Sequence, residues 1–473
     1  MSRTARIALL QLPAFGIDDA AASLAHTLCR IDDAARERPD LIALPEVTYP
    51  AYFLGTGDLR GVTPSVREAT ERIAAKAREH GVWIAAGLAL DAPGGGYTNG
   101  AALFDRRGEL AGRYDKSFLW HFDARWFAQG GAYPAFETDF GRIGMLVCAD
   151  GRLPEIARSL VLNGAQIVLD LTAWVSSGRR VEDLMNVQRA YMMQVRAAEN
   201  GVWAACVSKF GVEAESIVYC GRSCFIDPRG RIAATLGSAD DAVLVHDVPV
   251  QDARPPVQRR PEFYDVLAHP TESLPATRWI DEQFVMAEQE RRIASVQMAM
   301  PATAEAFLAA AGRHVDRLRL QDADLVLFPA APPSCEHDAA LTGMLALAQR
   351  HQILLAFALH EPDGHRAMYL AGPHGVAAKH RQTHAAPGAA LLLGETPCPM
   401  TNTGLGRIGL ICSEEAMVPE VARSLMLRGA EILLASDGVP AHHVTAVARC
   451  RADENRVFVA AATEPGDEGG ALV

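Results

Sequence analysis

The sequence predicts an α/β fold, and three observations lead to this prediction. Short apolar runs typical of buried strands alternate with longer amphipathic segments through the first half of the chain. One such unit, residues 143–171, has the pattern of a strand, a helix beginning near Pro154 and ending before Gly164, and a second strand. A similar succession of segments begins again near residue 294. The chain is therefore predicted to contain two α/β domains of one kind.

The individual elements of the first half follow from the same patterns. Strands are predicted at residues 6–11, 40–46, 82–87, 97–105, 109–116, 143–147, 166–171 and 202–208, and helices at 18–36, 65–80, 155–163 and 181–200. Turns at residues 106–108 and 227–230 predict two strand pairs. Open α/β sheets place their sites at the carboxyl ends of the strands, so polar residues there are the candidates for function.

Length, composition and charge exclude several classes of protein. With 473 residues and 49% hydrophobic residues, the chain is expected to form more than one domain with a sizeable core. Its net charge of −12 and scattered basic residues argue against nucleic acid or an anionic membrane as partner. No apolar run is long enough to span a bilayer, and the N-terminus leads into a strand rather than a signal peptide.

The nine cysteines show no Cys-x-x-Cys pair. Neither a disulfide framework nor a metal site is therefore expected, and no cofactor is indicated. Taken with the absence of a signal peptide, this pattern predicts a cytoplasmic protein with reduced thiols.

Three residues at predicted strand ends form a chemically sufficient set: Glu46, Lys116 and Cys148. A carboxylate can take the proton of a thiol and later activate water. An ammonium group beside the thiol lowers its pKa and stabilises a developing oxyanion, with the backbone N–H of Ala149 as a second donor. Each residue also has a simpler structural reading. A cysteine ending an apolar strand is commonly a small core residue, a glutamate can cap a helix, and a lysine can be solvated.

The sequence around these residues resembles the nitrilase superfamily of carbon-nitrogen hydrolases. Its Pro-Glu, Tyr-x-Lys and Cys-x-Asp-x-Arg-x-Pro-Glu patterns are matched at residues 45–46, 114–116 and 148–155. Further matches, in order, lie at residues 196–200, 221–223, 227–230 and 259–264, so the resemblance covers about residues 5 to 267.

The resemblance implies a four-layer αββα sandwich and assigns roles to the three residues. Cys148 would be the nucleophile, Glu46 the general base and Lys116 the residue that stabilises the oxyanion. Supporting or substrate-binding roles are expected for Tyr52, Asp123, Ala149, Arg152 and Trp174.

Three departures from the family pattern bear on the substrate. Phe118 stands where the family usually has histidine, Asp123 where it usually has glutamate, and Ala149 where an aromatic residue is commoner. True nitrilases tend to have Trp-Glu after the nucleophile. The pair Ala149-Asp150 is therefore closer to the amidase and carbamoylase branches.

The second half repeats the first without its catalytic residues. Repeated segments lie at residues 294–297, 324–329, 406–412, 419–425 and 451–455. Ala330 stands where the first copy has Glu46, and Gln382 aligns best with Lys116, with Lys379 as the alternative register. Cys412 is aligned with Cys148, without a base or ammonium beside it. The second copy is therefore predicted to be degenerate and non-catalytic.

The predicted organisation is a catalytic domain at residues 1–270, a linker at 271–290 and a degenerate domain at 291–473, with a charged helix at 280–292. Members of the superfamily commonly pair through one face of the sandwich. The resemblance therefore predicts that the two copies form an internal pseudo-dimer, and a further homo-oligomer is compatible with it.

The function predicted from these observations is hydrolysis of a small amide or N-carbamoyl compound through a thioester acyl-enzyme, with release of ammonia. The alternatives are a nitrilase that converts a nitrile to an acid, and a non-catalytic regulatory or binding protein.

Overall fold

A computed structural model describes residues 3–178, 180–277, 290–436 and 444–465 of the chain. Their contacts divide the chain into two compact units, residues 1–255 and 256–473. The predicted boundaries at residues 270 and 290 stay predictions. The predicted helix at 280–292 falls largely on residues 278–289, outside the described ranges.

The first unit is built mainly of strands. These are β1 (Arg3–Pro13), β2 (Leu41–Tyr49), β3 (Trp83–Asp91), β4 (Tyr97–Phe104), β5 (Leu110–Asp115), β6 (Ala135–Thr138), β7 (Gly141–Val147), β8 (Ile167–Thr172), β9 (Trp203–Glu213), β10 (Ile217–Cys220), β11 (Cys224–Ile226), β12 (Ile232–Thr235) and β13 (Ala242–Val250). Its helices are α1 (Ala20–Ala35), α2 (Val66–His80), α3 (Asp123–Trp126), α4 (Pro154–Leu162) and α5 (Met193–Asn200).

Local sequence explains where several of these helices begin and end. The Ser65 side chain accepts a hydrogen bond from the backbone N–H of Glu68 at the start of α2. Gly81, with φ of +62°, ends that helix in the left-handed conformation that glycine adopts at low cost. Pro154 is the first residue of α4, as predicted.

The strands of the first unit form a sheet with the order β5-β4-β3-β2-β1-β9-β8-β7-β6. Pairing is parallel from β3 through β2 and β1 to β9, β8 and β7. The two halves join where Leu12 and Pro13 of β1 pair with Lys209 and Phe210 of β9. The carboxyl ends of these parallel strands therefore lie on one edge of the sheet.

Alternating side chains arrange the first unit in four layers. One core cluster contains Ile7 and Leu9 of β1 together with Met145 and Val147 of β7, so the two sheet halves pack face to face. The intervening residues of β1 pack with α1 and α2 in a second cluster. Leu146 packs with α4 in a third. This is the predicted αββα sandwich.

The second unit repeats this plan in a shorter form. Its strands are β14 (Ile293–Ser295), β15 (Leu325–Ala330), β16 (Leu354–His360), β17 (Arg366–Gly372), β18 (Gly375–Arg381), β19 (Thr401–Thr403), β20 (Gly406–Cys412), β21 (Ile432–Ser436) and β22 (Phe458–Ala462). Its helices are α6 (Ala304–Arg319), α7 (His337–His351), α8 (Pro419–Leu427) and α9 (Val444–Asn455). Within the described residues the strands form two sheets, β14 to β18 and β19 to β22.

One predicted helix is shorter than the sequence suggested. Residues 181–200 were expected to be helical throughout, but only a turn at Val181–Asp183 and the continuous segment from Gln188 to Asn200 are helical. The Asn186 side chain accepts a hydrogen bond from the backbone N–H of Gln188 at 2.8 Å. Asparagine favours such a capping position, so the long helix begins here.

Among the described residues, no helix combines the length and the apolar character that crossing a membrane requires.

Candidate active site

Cys148 directly follows β7 and is the first residue of the short helical turn Cys148–Arg152. Its φ of +47° lies in the left-handed region, which costs a non-glycine residue about 1–3 kcal/mol. The surrounding structure maintains this conformation from two sides. The backbone N–H of Cys148 donates to Asp170 Oδ1 at 3.0 Å, and its carbonyl accepts from Gln188 Nε2 at 2.5 Å.

Glu46 lies within β2, where the strand leaves its regular pairing with β3. The register between the two strands shifts between Leu44 and Tyr49. Gly87 of β3 permits this bulge, because a Cβ there would lie 2.2 Å from the Pro45 carbonyl oxygen. The bulge places the Glu46 carboxylate in the interior, where Asn99 Nδ2 donates to Oε1 at 2.7 Å.

Lys116 directly follows β5 and lies between two carboxylates. Its Nζ is 2.7 Å from Glu46 Oε1 and 2.7 Å from Asp123 Oδ2. All three side chains are at most 1% exposed. Burial alone would lower the pKa of Lys116, but the two carboxylates outweigh it and raise that pKa well above its usual value. The two carboxylates therefore favour the charged, ammonium form of Lys116.

The Cys148 thiol is buried and is near the same charges. Burial raises its pKa, the Glu46 carboxylate raises it further, and Lys116 only partly opposes them. Lys116 thus lowers the thiol pKa, as predicted, but burial and Glu46 together outweigh it. A neutral resting thiol needs a base during attack, and the carboxylate that raises its pKa is the predicted base.

The structure also locates the five supporting residues. Tyr52 is buried, and its pKa is raised by burial and by the carboxylate of Asp123. Ala149 is buried in the turn after Cys148. The Arg152 guanidinium lies 5.7 Å from the centre of the Trp120 ring. Trp174 is fully buried in the core cluster that contains Cys148.

Asp123 forms an ion pair with Lys116 of the predicted triad. It begins α3 and, besides binding Lys116, accepts a hydrogen bond from the backbone N–H of Trp120 at 3.0 Å. The shorter side chain that departs from the family pattern thus still reaches the lysine.

Sequence analysis missed three residues that support the site: Asn99, Asp170 and Gln188. Asn99 binds the carboxylate of Glu46, whereas the other two hold the backbone of Cys148. A signal was present for the first two, because each is a strongly polar residue within a largely apolar strand. Gln188 had none.

A buried carboxylate next to Cys148 braces the end of β7. Asp150 accepts hydrogen bonds from the Tyr114 hydroxyl at 2.7 Å and from the backbone N–H groups of Ser117, Phe118 and Val147. Burial raises the pKa of Asp150 to about 6. We call this arrangement the strand-end brace.

The second unit keeps the strand-end brace with different residues. Glu415 accepts hydrogen bonds from His380 Nε2 at 2.8 Å and from the backbone N–H groups of Thr383 and Cys412. Although burial opposes it, the neighbouring His380 and His384 hold the pKa of Glu415 well below its usual value.

Backbone register identifies the second unit's counterparts of the predicted triad. Ala330 ends β15 one residue after Pro329, as Glu46 follows Pro45 in β2. The backbone N–H of Gln382 pairs with the Arg366 carbonyl as that of Lys116 pairs with the Asn99 carbonyl. Gln382 is therefore the counterpart of Lys116, as predicted.

The predicted equivalence of Cys412 and Cys148 is wrong. Cys412 is the last residue of β20, as Val147 is the last residue of β7, and the helical turn begins one residue later, at Ser413. The backbone N–H groups of Val147 and Cys412 also make the same bond to the brace carboxylate. Ser413 thus takes the place of the nucleophile.

Comparison with known proteins identifies the family of the chain. The family model for carbon-nitrogen hydrolases matches residues 6–255 and again residues 292–472. A Pseudomonas protegens protein described as "Hydrolase in pqqF 5'region" is 32% identical over 280 residues, covering 56% of this chain and 93% of that protein. An (R)-stereoselective amidase of a Pseudomonas species is 31% identical over 234 residues, covering 49% of this chain and 81% of the amidase.

Two further similarities complete the comparison. A probable nitrilase of Schizosaccharomyces pombe is 30% identical over 157 residues, which span 33% of this chain and only 55% of that protein. Among solved structures, an amidase from Nesterenkonia is 26% identical over 53% of this chain and 92% of the amidase, with a TM-score of 0.47.

The αββα sandwich and its repeat define a tandem protein of the nitrilase-like class. The chain belongs to the carbon-nitrogen hydrolase family, and it is an enzyme of that kind.

Proposed function

We propose that the first unit hydrolyses a small amide or N-carbamoyl compound through a thioester on Cys148. The observation that carries this proposal is the buried Lys116 ammonium held between Glu46 and Asp123. Because Asp123 also pairs with Lys116, the ammonium keeps a carboxylate partner when Glu46 takes a proton. Glu46 can therefore act as the base while Lys116 stays charged.

In the first step the Cys148 sulfur bonds to the carbonyl carbon while Glu46 takes the thiol proton. The oxyanion that forms is stabilised by the Lys116 ammonium and the backbone N–H of Ala149. The C–N bond then breaks, and the proton on Glu46 passes to the departing nitrogen, which leaves as ammonia. The acyl group remains on sulfur as a thioester.

In the second step Glu46 takes a proton from a water molecule that attacks the thioester carbon. The C–S bond breaks, the acid is released, and the proton returns to the Cys148 sulfur. One carboxylate thus serves both half-reactions.

An amide substrate is supported by the similarity to the (R)-stereoselective amidase and to vertebrate omega-amidases, which are 24–27% identical. The second candidate is nitrile hydrolysis, favoured by the similarity to the probable nitrilase. In that case the same thiol would add to a nitrile carbon.

The substrate class is tested by measuring ammonia release from a panel of simple amides, N-carbamoyl amino acids and nitriles. We expect turnover of amides or carbamoyl compounds by the full chain and none by Cys148→Ala. Turnover confined to nitriles would replace the proposal with the second candidate, and amide turnover that survives in Cys148→Ala would overturn the assigned nucleophile.

We further propose that residues 291–473 are a non-catalytic internal partner, packing on residues 1–267 as a pseudo-dimer. Support comes from what the second unit retains and what it has lost. Helices α8 and α9 match α4 and α5 in place, whereas Ala330, Gln382 and Ser413 stand at the three catalytic positions.

A cytoplasmic location is also proposed. All nine cysteines lie in the described residues and none is in a disulfide, which is typical of proteins kept in a reducing compartment.

A further inference from the structure

The backbone immediately after Glu46 is strained. Val47 has φ of +36°, a left-handed conformation that is costly for a β-branched residue, and it is fully buried. Such a conformation persists only where the surroundings hold it. Since Val47 is bonded directly to Glu46, a contact that holds the Val47 carbonyl also restricts the backbone from which the Glu46 side chain projects.

Lys209 holds that carbonyl. This residue lies in β9, is 3% exposed, and donates from Nζ to the Val47 carbonyl oxygen at 2.7 Å. Burial lowers the pKa of Lys209, although the carboxylates of Glu213 and Glu46 oppose that effect. A buried amine aimed at one backbone carbonyl is costly to maintain, so its position calls for an explanation beyond packing.

Glu213, four residues along the same strand, holds the far end of the segment 47–53. Its Oε2 lies 3.7 Å from Lys209 Nζ, and its Oε1 accepts a hydrogen bond from the backbone N–H of Phe53 at 2.6 Å. Between these two anchors lies Tyr52, whose ring packs edge-on against Tyr219 at 6.4 Å. The Tyr219 hydroxyl in turn donates to Glu213 Oε2 at 3.1 Å.

We propose that Lys209 and Glu213 are positioning residues for the reaction. Together they clamp residues 47–53, so that Glu46 stays aligned with Lys116 and the Cys148 thiol. The inference rests on the proposed role of Glu46 as the base. It needs no particular substrate.

The test compares the full-length wild type with Lys209→Met, which removes the ammonium but keeps the length, and with Lys209→Arg, which keeps a donor. With any substrate found in the panel, we expect Lys209→Met to lose about 10²-fold in kcat with little change in KM, and Lys209→Arg to recover part of the loss. Lys76→Met, at a surface ion pair on α2, is the matched control.

A second readout needs no substrate: the pKa of the Cys148 thiol, taken from its alkylation rate against pH. The charged or titratable groups near this thiol include Glu46, Lys116, Asp170 and Tyr52, and Asp150 lies two residues along the chain. If Glu46 moves away in Lys209→Met, the thiol pKa falls. If Lys209 acts only through its charge, removing a cation leaves that pKa unchanged or raises it.

The two readouts separate the possible failures. A lower thiol pKa without detectable turnover of any panel compound would support the clamp while refuting the proposed substrate class. An unchanged or higher thiol pKa with normal kcat in Lys209→Met would overturn the clamp. Should Lys209→Met fail to fold, the double variant Lys209→Met/Glu213→Gln removes both charges at once and is judged by the same measurements.

Discussion

Replacing Glu46 with glutamine should separate the chemistry of this residue from its position. A glutamine Oε1 can still accept from Asn99 Nδ2 and Lys116 Nζ, each 2.7 Å from the native Oε1. Lys116 also keeps its second carboxylate, Asp123, at 2.7 Å. The substitution therefore removes the proton acceptor and leaves the arrangement in place.

The expected loss follows from the role of a general base. Proton transfer by a general base raises the rate on the order of 10²–10⁴-fold. Without it kcat should fall by that factor, which corresponds to an activation barrier higher by about 3–5.5 kcal/mol. The substitution should also change the pKa of the resting Cys148 thiol. The Glu46 carboxylate raises this pKa and Lys116 lowers it, so removing the Glu46 charge should lower the thiol pKa.

The assay measures kcat for ammonia release together with the pH dependence of Cys148 alkylation, located by mass spectrometry of the labelled peptide. Glu137→Gln, an exposed glutamate on β6, is the control and should change neither quantity. An adduct found on Cys206, Cys220 or Cys224 would show that the nucleophile is wrongly assigned. A Glu46→Gln enzyme that keeps its kcat, or whose thiol pKa rises, would refute the reasoning about the base.

Three further outcomes are expected. Cys148→Ala should abolish turnover, whereas Cys412→Ala and Ser413→Ala should leave kcat largely unchanged; equal losses in a steady-state assay would contradict a non-catalytic second unit. In denaturant unfolding, Asp150→Ala should lower the free energy of unfolding more at pH 4 than at pH 7, by up to about 3 kcal/mol. The pKa of Asp150 is about 6 in the folded protein and about 3.9 in the unfolded chain, so the group stabilises the fold most in acid. This contribution is lost as the pH rises through 6. A fragment ending near residue 270 should aggregate, self-associate or lose activity if the second unit is an internal partner; a stable, fully active monomer by light scattering would argue against it.

Much of the first unit could be predicted because its signals are local. The apolar run before Cys148 marked the end of β7, and strand ends of parallel sheets converge on one edge. The prediction that Glu46 ends its strand is wrong, because β2 continues to Tyr49, although its regular pairing with β3 is interrupted after Leu44. The helix predicted at 155–163 differs from α4 by one residue at each end. At its start the difference arises because a proline can occupy the first position of a helix, as Pro154 does.

What could not be predicted depends on contacts between distant segments. Gln188 binds the Cys148 carbonyl across 40 positions of sequence, and nothing near it in the chain indicates that partner. The raised thiol pKa likewise results from burial and from Glu46, whose weight against Lys116 needs the folded geometry. Sequence alone supplied the charges but not their balance.

The error at Cys412 had a local remedy. Cys148 and Cys412 each end an apolar run of similar sequence, and this similarity favours aligning them. The prolines give a firmer register, since Pro154 lies six residues after Cys148 and Pro419 lies six after Ser413. A proline fixed at the first position of a helix is a more reliable marker of structure than a cysteine, which serves equally well in a core.

The strand-end brace has a consequence for how such duplicated genes diverge. Its carboxylate is present in both copies, as Asp150 and as Glu415, although one copy has no cysteine at the nucleophile position. In both copies the carboxylate accepts hydrogen bonds from buried backbone N–H groups, which folding requires whether or not the copy is catalytic. An acidic residue two places after the nucleophile position is therefore evidence of shared architecture, and the residues at positions 46, 116 and 148 must be read separately before either copy is counted as active.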